Sequence, residues 1–214
     1  CAIDLSRLWP EYKRLLAPGG CVVLFCAMPF TAKLYMSNPT WFKDHLVGDK
    51  NKCGSPGLAN VRPMRVHEDI LIFAPGRTVY NPQMETGKPY SRKSKNPEGY
   101  VGRKNEHGYG MKPRTEFHND GTRYPKSIID MSRDFSAQQQ VHGAQKPRHT
   151  CEWLIKTYSN AGAVILDNAM GSGTTGVACV DVGDRQFIGI DDKVEHVELA
   201  RSRIAQAQSE VSGL

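Results

Sequence analysis

The chain has 214 residues, of which 39% are hydrophobic, and a formal net charge of +6. This length suffices for one domain with a sizeable core, and because no run of about 18 apolar residues occurs, no membrane-spanning helix is expected. Six cysteines without a C-x-x-C pair argue against a disulfide framework or a zinc site and are typical of reduced thiols in a cytoplasmic protein. Because the first residue is Cys1 rather than methionine, we expect the chain to be part of a longer protein.

The beginning of the chain predicts one helix–strand unit. Apolar residues recur at helical spacing from Leu5 to Leu16, and the Pro-Gly-Gly sequence at 18–20 ends that helix. The apolar run Cys21–Cys26 then predicts a buried strand. A helix, a sharp break and an apolar strand in this order are typical of α/β proteins.

Three further segments are predicted before residue 76. We expect a short helix to begin at Asn38–Phe42 and a loop to span 50–63, where glycine and proline recur. A second core strand is expected at Glu68–Phe73.

The character of the chain changes at Gly76. Fourteen lysines and arginines and seven acidic residues lie between Gly76 and Arg148, a balance of +7, so the remaining residues together carry −1. Aromatic residues recur among these cations, while prolines and glycines interrupt any periodicity. Cations suit phosphates and aromatic rings suit bases, so the segment is typical of a nucleic-acid surface. The composition is also compatible with a solvated polar insertion.

A glycine-rich turn lies near the end of the chain, between two predicted strands. Val164–Leu166 is a β-branched apolar run, and Asp167-Asn-Ala-Met-Gly171-Ser-Gly173-Thr-Thr-Gly176 follows it directly. A helix is expected to begin at Gly176, and the strand after it ends at Asp191. Glycines let the backbone approach a ligand, and a carboxylate 24 residues after Asp167 is placed to accept hydrogen bonds from ribose hydroxyls. The arrangement predicts a site for an adenosine-bearing cofactor.

The glycine pattern alone does not identify the cofactor. Gly171, Gly173 and Gly176 satisfy G-x-G-x-x-G, which leaves a dinucleotide open, whereas the absence of a following Lys-Ser or Lys-Thr argues against a P-loop. A dinucleotide fold normally opens its domain and needs further strands downstream. Here 23 residues follow Asp191, and 193–208 predicts one amphipathic helix. The rest of the sheet must therefore come from upstream.

These residues resemble the site-specific DNA methyltransferases that modify exocyclic amino groups. The resemblance rests on the motif from Val164 to Ala178, on Phe187–Asp191, and on His142-Gly-Ala-Gln145-Lys146-Pro147 ahead of them. The chain is similar in particular to the permuted β class of phages and restriction systems, in which the cofactor half comes last. The resemblance implies a doubly wound, Rossmann-like α/β methyltransferase fold with a basic, loop-rich insertion.

The same resemblance implies an organisation and a reaction. Residues 1–75 would be a remnant of the catalytic half, 76–140 the basic target-recognition insertion and 141–214 the S-adenosylmethionine half. The implied reaction is methyl transfer from S-adenosylmethionine to adenine N6 in double-stranded DNA, in a bacterial or phage-infected cell. Cytosine N4 is the alternative target within the class. A non-catalytic DNA-binding remnant and, from the glycine pattern, an NAD-binding oxidoreductase also stay open. No metal is implied, and the oligomeric state is left open.

The resemblance also implies site residues. The glycine turn would surround the methionine part of the cofactor and Asp191 would hold the ribose, and the full set of cofactor candidates is Asp167, Gly171, Ser172, Gly173, Thr174, Asp191, His142, Gln145 and Lys146. The candidate DNA contacts are Arg92, Lys93, Lys95, Arg103, Lys104, Lys112 and Arg114. For His67 and Glu68, which precede a core strand, a structural role is favoured over contact with the target base.

The chain departs from the family pattern at two places. Members usually have His-Pro-Thr-Gln-Lys-Pro, whereas Gly143 and Ala144 replace the proline and threonine here. A looser loop and a lost hydroxyl together cost roughly 1–2 kcal/mol, so weaker cofactor binding is expected. Gly48 stands where relatives often have tryptophan, and we expect it to leave a gap.

The catalytic motif of the family, Asp-Pro-Pro-Tyr or a close variant, does not occur in these 214 residues. Its expected place is just before the helix near Leu5, so the resemblance puts it upstream of Cys1 and implies no catalytic residue within the chain. In the family, the motif accepts hydrogen bonds from the target amino group and stacks on a base swung out of the duplex. We therefore expect these residues to bind cofactor and DNA without transferring a methyl group.

Overall fold

The computed structural model describes residues 4–54, 56–93, 116–134 and 145–213. The chain divides into two compact units, Cys1–Asn81 with Lys126–Leu214, and Pro82–Pro125. The helices are α1 Leu5–Leu15, α2 Phe30–Ser37, α3 Arg148–Tyr158, α4 Thr174–Val182 and α5 Val194–Ser212. The strands are β1 Val22–Cys26, β2 Phe42–Gly54, β3 Arg65–Phe73, β4 Glu85–Thr86, β5 Tyr90–Lys93, β6 Glu116–Asn119, β7 Thr122–Arg123, β8 Ile128–Asp130, β9 Val164–Asp167 and β10 Gln186–Gly189.

A four-stranded sheet with the order β1-β3-β2-β8 forms the centre of the larger unit. Its middle strand β3 alternates between two apolar faces, because successive side chains of a strand point to opposite sides. Leu71 and Phe73 pack with α1 and α2, and Ile70 and Ile72 pack with Leu154 of α3. Each of these buried side chains stabilises the fold by about 1.5–3 kcal/mol. Helices therefore cover both faces of the sheet.

Helix α3 connects this sheet to the glycine turn. Its Cys151 and Ile155 pack against Ala178 and Cys179 of α4 in a third apolar cluster. Helix α4 in turn lies next to the parallel pair β9 and β10, whose register places Gly189 opposite Asp167. The glycine turn therefore lies at the carboxyl end of two parallel strands that pack against α3 and α4.

The predicted α/β architecture is confirmed, and the long apolar runs are correctly assigned. Helix α1, β1, β9 and α5 begin within one residue of their predicted first residues, and β3 begins at Arg65, three residues earlier than predicted. The helix predicted from Asn38 is wrong. Helix α2 ends before Asn38, and Phe42 starts a strand because its backbone pairs with Phe73 of β3.

The loop predicted at 50–63 is only partly correct. Strand β2 continues to Gly54, which pairs with Arg65 after an irregularity that follows Asp49. Asn51 adopts a positive φ of 52° within that irregularity. A short 3-10 turn at Pro56–Leu58 then begins the return to β3. The pairing of Gly54 with Arg65, rather than an apolar run, therefore marks the end of this strand.

The gap expected at Gly48 is filled. The side chain of Met131, which follows β8, occupies the space that a Cβ atom at position 48 would need. Met131 is buried in the cluster of Leu46, Ile70 and Ile129. An unbranched methionine side chain fills irregular space well. Met131, which follows β8, therefore fills the space that the missing side chain at position 48 leaves.

The smaller unit contains two antiparallel strand pairs among its described residues, β4 with β7 and β5 with β6. The guanidinium carbon of Arg123 lies 4.9 Å from the centroid of the Tyr90 ring. The same side chain donates a hydrogen bond of 2.6 Å to the carbonyl oxygen of Lys88. Arg123 thus contributes to holding the strand pairs together. Within the described part of the chain, no helix has the length and apolar character needed to cross a membrane.

Candidate functional site

Two carboxylates stand at the carboxyl end of the β9–β10 pair. Asp167 is the last residue of β9, and Asp191 follows the end of β10 by two residues. The amide of Ile190 donates to the carbonyl oxygen of Asp167 at 2.9 Å, which keeps the two strand ends together. Parallel strands place their carboxyl ends at one edge of a sheet, where α/β proteins commonly bind ligands.

The Asp191 carboxylate is held by three donors. The amide of Gly171 donates to Oδ2 at 2.8 Å, the amide of Lys193 donates to Oδ1 at 3.1 Å, and Nδ1 of His196 lies 2.9 Å from Oδ1. Burial alone would raise the pKa of Asp191, but the hydrogen bonds from these amides and from His196 outweigh it and lower the pKa to about 2. Asp191 is therefore ionised at neutral pH and fixed in orientation.

The glycine turn needs its glycines for two different reasons. Gly171 and Gly173 have φ values of 49° and 73°, in the left-handed region that costs other residues about 1–2 kcal/mol. A Cβ atom on Gly173 would also lie 2.6 Å from the Cβ atom of Ala200 on α5. Helix α4 begins at Thr174, directly after Gly173. The turn therefore packs tightly against α5 while its backbone leads into the first turn of a helix.

Arg203 of α5 fixes the middle of the turn. Its guanidinium donates to the carbonyl oxygen of Ser172 and, at 3.3 Å, to Oγ1 of Thr174. Ser172 and Thr174 are themselves buried, and their hydroxyl oxygens lie 3.3 Å apart. Burial, followed by the nearby Arg148 charge, lowers the pKa of Arg203. The two predicted cofactor residues Ser172 and Thr174 are thus held in a network anchored by α5.

The Asp167 carboxylate faces the same turn. Its Oδ1 accepts the amide of Ala169 at 3.1 Å, and its Oδ2 accepts the hydroxyl of Thr175 at 2.6 Å. The neighbouring Asn168 accepts a hydrogen bond of 3.4 Å from the hydroxyl of Tyr12 on α1. The end of β9 is consequently connected to both α4 and α1.

The block before α3 is attached to the central sheet. Nζ of Lys146 lies 3.1 and 3.0 Å from the two carboxylate oxygens of Glu68 on β3, and 5.0 Å from the centroid of the Phe25 ring. Gln145 is half-buried beside it. The structural role favoured for Glu68 agrees with this ion pair. His142, the third candidate of the block, lies outside the described residues.

Lys146 and Asp167 both lie close to Cys151. Burial, assisted by the Asp167 charge and opposed by the Lys146 charge, raises the pKa of this thiol to about 12. Cys151 is thus a buried thiol that stays protonated at neutral pH. Among the described residues, no cluster of three or more His, Cys, Asp or Glu side chains is arranged to hold a metal ion.

Two of the candidate DNA contacts lie in the described part of the smaller unit. Arg92 and Lys93 are exposed at the end of β5, and the guanidinium carbon of Arg92 is 5.5 Å from the centroid of the Phe117 ring. The other five candidates, Lys95, Arg103, Lys104, Lys112 and Arg114, lie outside the described residues.

Sequence reasoning missed three residues that shape the site. Thr175, His196 and Arg203 bind, respectively, Asp167, Asp191 and the carbonyl of Ser172. Thr175 adjoins the motif and could have been included with it. His196 and Arg203 lie on α5, where helical periodicity separates inward from outward positions but does not identify a hydrogen-bond partner.

A family model described as DNA methylase, covering N6 and N4 methyltransferases, matches residues 4–202. The Type II methyltransferase M.HpaI of Haemophilus parainfluenzae is 26% identical over 219 residues, which cover 94% of this chain and 59% of the relative. The Type II methyltransferase M.SmaI of Serratia marcescens is 28% identical over 178 residues, which cover 83% of this chain and 51% of the relative. The chain thus spans between half and three-fifths of the length of these two relatives.

Solved structures share the architecture. The crystal structure of the M1.HpyAVI–SAM complex has a TM-score of 0.60 and 24% identity, and the match covers 95% of this chain and 85% of that chain. The cytosine-N4-specific PvuII DNA methyltransferase has a TM-score of 0.60 and 16% identity, covering 97% of this chain and 76% of that one. These likenesses confirm the Rossmann-like methyltransferase fold. Because the family model matches almost the whole chain, the protein belongs to the DNA methylase family that modifies exocyclic amino groups.

Proposed function

We propose that this chain binds S-adenosylmethionine and DNA as part of a methyltransferase that modifies adenine N6. The observation that carries the proposal is the pair of carboxylates at the glycine turn, Asp167 and Asp191, of which Asp191 is bound by the amide of Gly171 at 2.8 Å. A carboxylate suits ribose hydroxyls and a second one suits the ammonium group of the methionine part. The family supplies the reaction class.

Both carboxylates retain acceptor capacity for this ligand. An ionised carboxylate has about four lone-pair sites. Asp191 uses three, for Gly171, Lys193 and His196, which leaves one for a ribose hydroxyl. Asp167 uses two, for Ala169 and Thr175, which leaves two for an ammonium group. The donor and acceptor set therefore fits S-adenosylmethionine.

A dinucleotide fits the same set less well. Its pyrophosphate would lie at the glycine turn, beside the Asp167 carboxylate, and like charges at that distance repel. S-Adenosylmethionine has no phosphate and carries positive charge at its sulfonium and ammonium groups. The charge at the turn thus favours the methyl donor over NAD.

The residues of the chain bind and orient the donor. When bound, S-adenosylmethionine supplies an electrophilic methyl group. Asp191 would hold the ribose and Asp167 the methionine part, while Gly171, Gly173 and the buried Ser172 and Thr174 give the turn its shape. From the preceding block, His142, Gln145 and Lys146 are the further proposed contacts. Fixing the donor in this way converts methyl transfer into a positioned, effectively unimolecular step.

Transfer also needs a group that holds the target amine. The lone pair of an exocyclic amine is delocalised into the base, so its protons must be accepted while it attacks. The Asp-Pro-Pro-Tyr type of motif that serves this purpose is not in these 214 residues. We therefore propose that this polypeptide by itself binds both ligands without turnover, and that residues 1–75, 76–140 and 141–214 correspond to a catalytic-half remnant, a target-recognition insertion and an S-adenosylmethionine half of the permuted β class.

The DNA partner is proposed from the basic segment 76–140, including Arg92 and Lys93 at the end of β5. Phosphate contacts there would position the duplex without selecting its sequence. Such a partner implies the cytoplasm of a bacterial or phage-infected cell. Adenine is proposed over cytosine, and the N4 specificity of the PvuII enzyme keeps cytosine as the alternative.

Nucleoside analysis tests the reaction. The coding sequence upstream of Cys1 is read and the full open reading frame is expressed with DNA and tritium-labelled S-adenosylmethionine. We expect an Asp-Pro-Pro-Tyr-like motif upstream and label in N6-methyladenine after digestion. Label in N4-methylcytosine would correct the target base. An upstream stop codon or frameshift, with no label in either nucleoside, would identify a non-catalytic remnant.

A further inference from the structure

The turn between β2 and β3 carries a basic surface that the overall charge balance conceals. Between residues 50 and 67 there are four lysines and arginines and no acidic residue, although the chain outside 76–148 is nearly neutral as a whole. The cations are Lys50, Lys52, Arg62 and Arg65. Lys50 lies 3.4 Å from Glu68, whereas none of the ion pairs among the described residues includes the other three. We call 50–67 the hairpin tip.

The hairpin tip also exposes apolar side chains next to its cations. Val61, which precedes Arg62, is 79% exposed, and Met64, which precedes Arg65, is 40% exposed. Isolated apolar residues on a surface need no explanation. Here the exposed apolar side chains occur together with cations that form no ion pair within the described part of the chain, at the end of a long hairpin. A loop that only contacts solvent does not require this combination.

A shallow concavity brings these groups together. It is lined by Gly54, Leu58, Arg62, Pro63, Met64 and Arg65. Arg65 uses one N–H to donate to the carbonyl oxygen of Met28 at 3.3 Å, which holds this guanidinium against the residues before α2 and leaves its other donors available. Two arginines and the apolar side chains Leu58, Pro63 and Met64 in one concavity match a phosphate and the sugar attached to it.

We propose that the hairpin tip is a second DNA-binding site, in which Arg62 and Arg65 bind a backbone phosphate, the apolar side chains contact the adjoining sugar, and Lys52 binds a neighbouring phosphate. This inference rests on the proposed DNA function and extends it to a surface outside 76–140. Charge complementarity selects the partner, because a duplex presents one negative charge per about 1.7 Å of its axis. The site adds affinity and orientation rather than base selectivity.

The test measures the salt dependence of duplex binding by the 214-residue chain, using fluorescence anisotropy with a labelled duplex. Loss of the one phosphate bound by both side chains in Arg62→Gln/Arg65→Gln should reduce the slope of log K against log salt by about 0.9 and weaken binding roughly tenfold at 0.1 M salt. Lys52→Gln alone should reduce the slope by about 0.9. Arg62→Lys/Arg65→Lys, which keeps both charges, should retain most of the slope.

The matched control removes the same charge elsewhere. Lys13 and Arg201 are exposed cations on α1 and α5, and Lys13→Gln/Arg201→Gln should leave the slope near that of the wild type. An equal loss of slope in this control, or an unchanged slope in Arg62→Gln/Arg65→Gln, would overturn the hairpin-tip site while the DNA function stood. Poly-glutamate is also added as a competitor. If it removes the difference in duplex affinity between the wild type and Arg62→Gln/Arg65→Gln as effectively as unlabelled duplex does, the hairpin tip binds acidic proteins, and the DNA site is overturned. A wild-type chain that binds no duplex would overturn the DNA function itself.

Discussion

Single residues in the site illustrate what a sequence can and cannot reveal. The glycines at 171 and 173 were predictable because only glycine readily adopts the left-handed backbone that the turn requires. The contact of Gly173 with Ala200 was not predictable, since it depends on how α5 packs. The same holds for His196 and Arg203, whose partners lie far from them or across a turn. Motif spacing therefore predicts the candidate ligand-binding residues better than the residues that pack against them or hydrogen-bond to them.

The substitution Gly173→Ala should separate backbone strain from crowding. Its new Cβ atom would be strained at φ 73° and would collide with Ala200. We expect the free energy of unfolding in urea to fall by about 2–4 kcal/mol. Gly162→Ala is the control, because Gly162 has φ 80° but no atom within 4 Å of the added Cβ. It should cost about 1–2 kcal/mol, the strain alone. Equal losses in both variants would contradict tight packing at Gly173.

Asp191 should contribute a pH-dependent part of the stability. Its folded pKa of about 2 lies below the ordinary aspartate value of 3.8, so the contribution is present above pH 4 and is lost as the pH falls toward 2. We expect Asp191→Asn to be less stable than the wild type by about 2 kcal/mol at pH 7, with about half of that difference remaining at pH 3. Asp192→Asn, at the exposed neighbouring carboxylate, is the control. A difference independent of pH would point to a steric effect of the amide.

At the scale of elements, apolar runs decided which predictions succeeded. The strands β1, β3 and β9 and the helix α1 are marked by runs or periodicities that one buried face imposes. The second half of β2 lacks such a run. Residues 50–54 are not buried, and the strand ends with one pair, Gly54 with Arg65 of β3, beyond an irregularity that follows Asp49. The structure also assigns Met131 to the space above Gly48, which no local pattern indicates.

Helix α5 should support the cofactor site through Arg203. Replacing Arg203 with glutamine removes the donor to the Ser172 carbonyl oxygen and leaves that buried group with a weaker partner. We expect Arg203→Gln to lower the free energy of unfolding by about 1–3 kcal/mol and to weaken S-adenosylmethionine binding several-fold. Arg201→Gln, two residues away and exposed, should change neither. If Arg203→Gln bound the cofactor as the wild type does, the turn would not depend on α5.

At the scale of the whole molecule, the proposed DNA-binding and cofactor-binding functions belong to different segments of the chain. The excess positive charge lies between Gly76 and Arg148, and the carboxylates at the glycine turn lie in the larger unit. The prediction that upstream strands complete the sheet of the glycine turn is wrong, because β9 and β10 pair with each other while β1, β3, β2 and β8 form a separate four-stranded sheet. The proposed adenine target is not separated from cytosine by the donor site, because N6 and N4 chemistry use the same kind of donor site.

Calorimetric titration of the 214-residue chain with S-adenosylmethionine tests the central claim most directly, with NADH titrated in parallel. We expect weak, saturable 1:1 binding of S-adenosylmethionine that Asp191→Asn abolishes or weakens at least tenfold and Asp192→Asn retains, because the oriented Asp191 carboxylate is the group that we propose accepts the ribose hydroxyls. NADH should give no saturable heat. Saturable binding of NADH without any binding of S-adenosylmethionine would contradict the account.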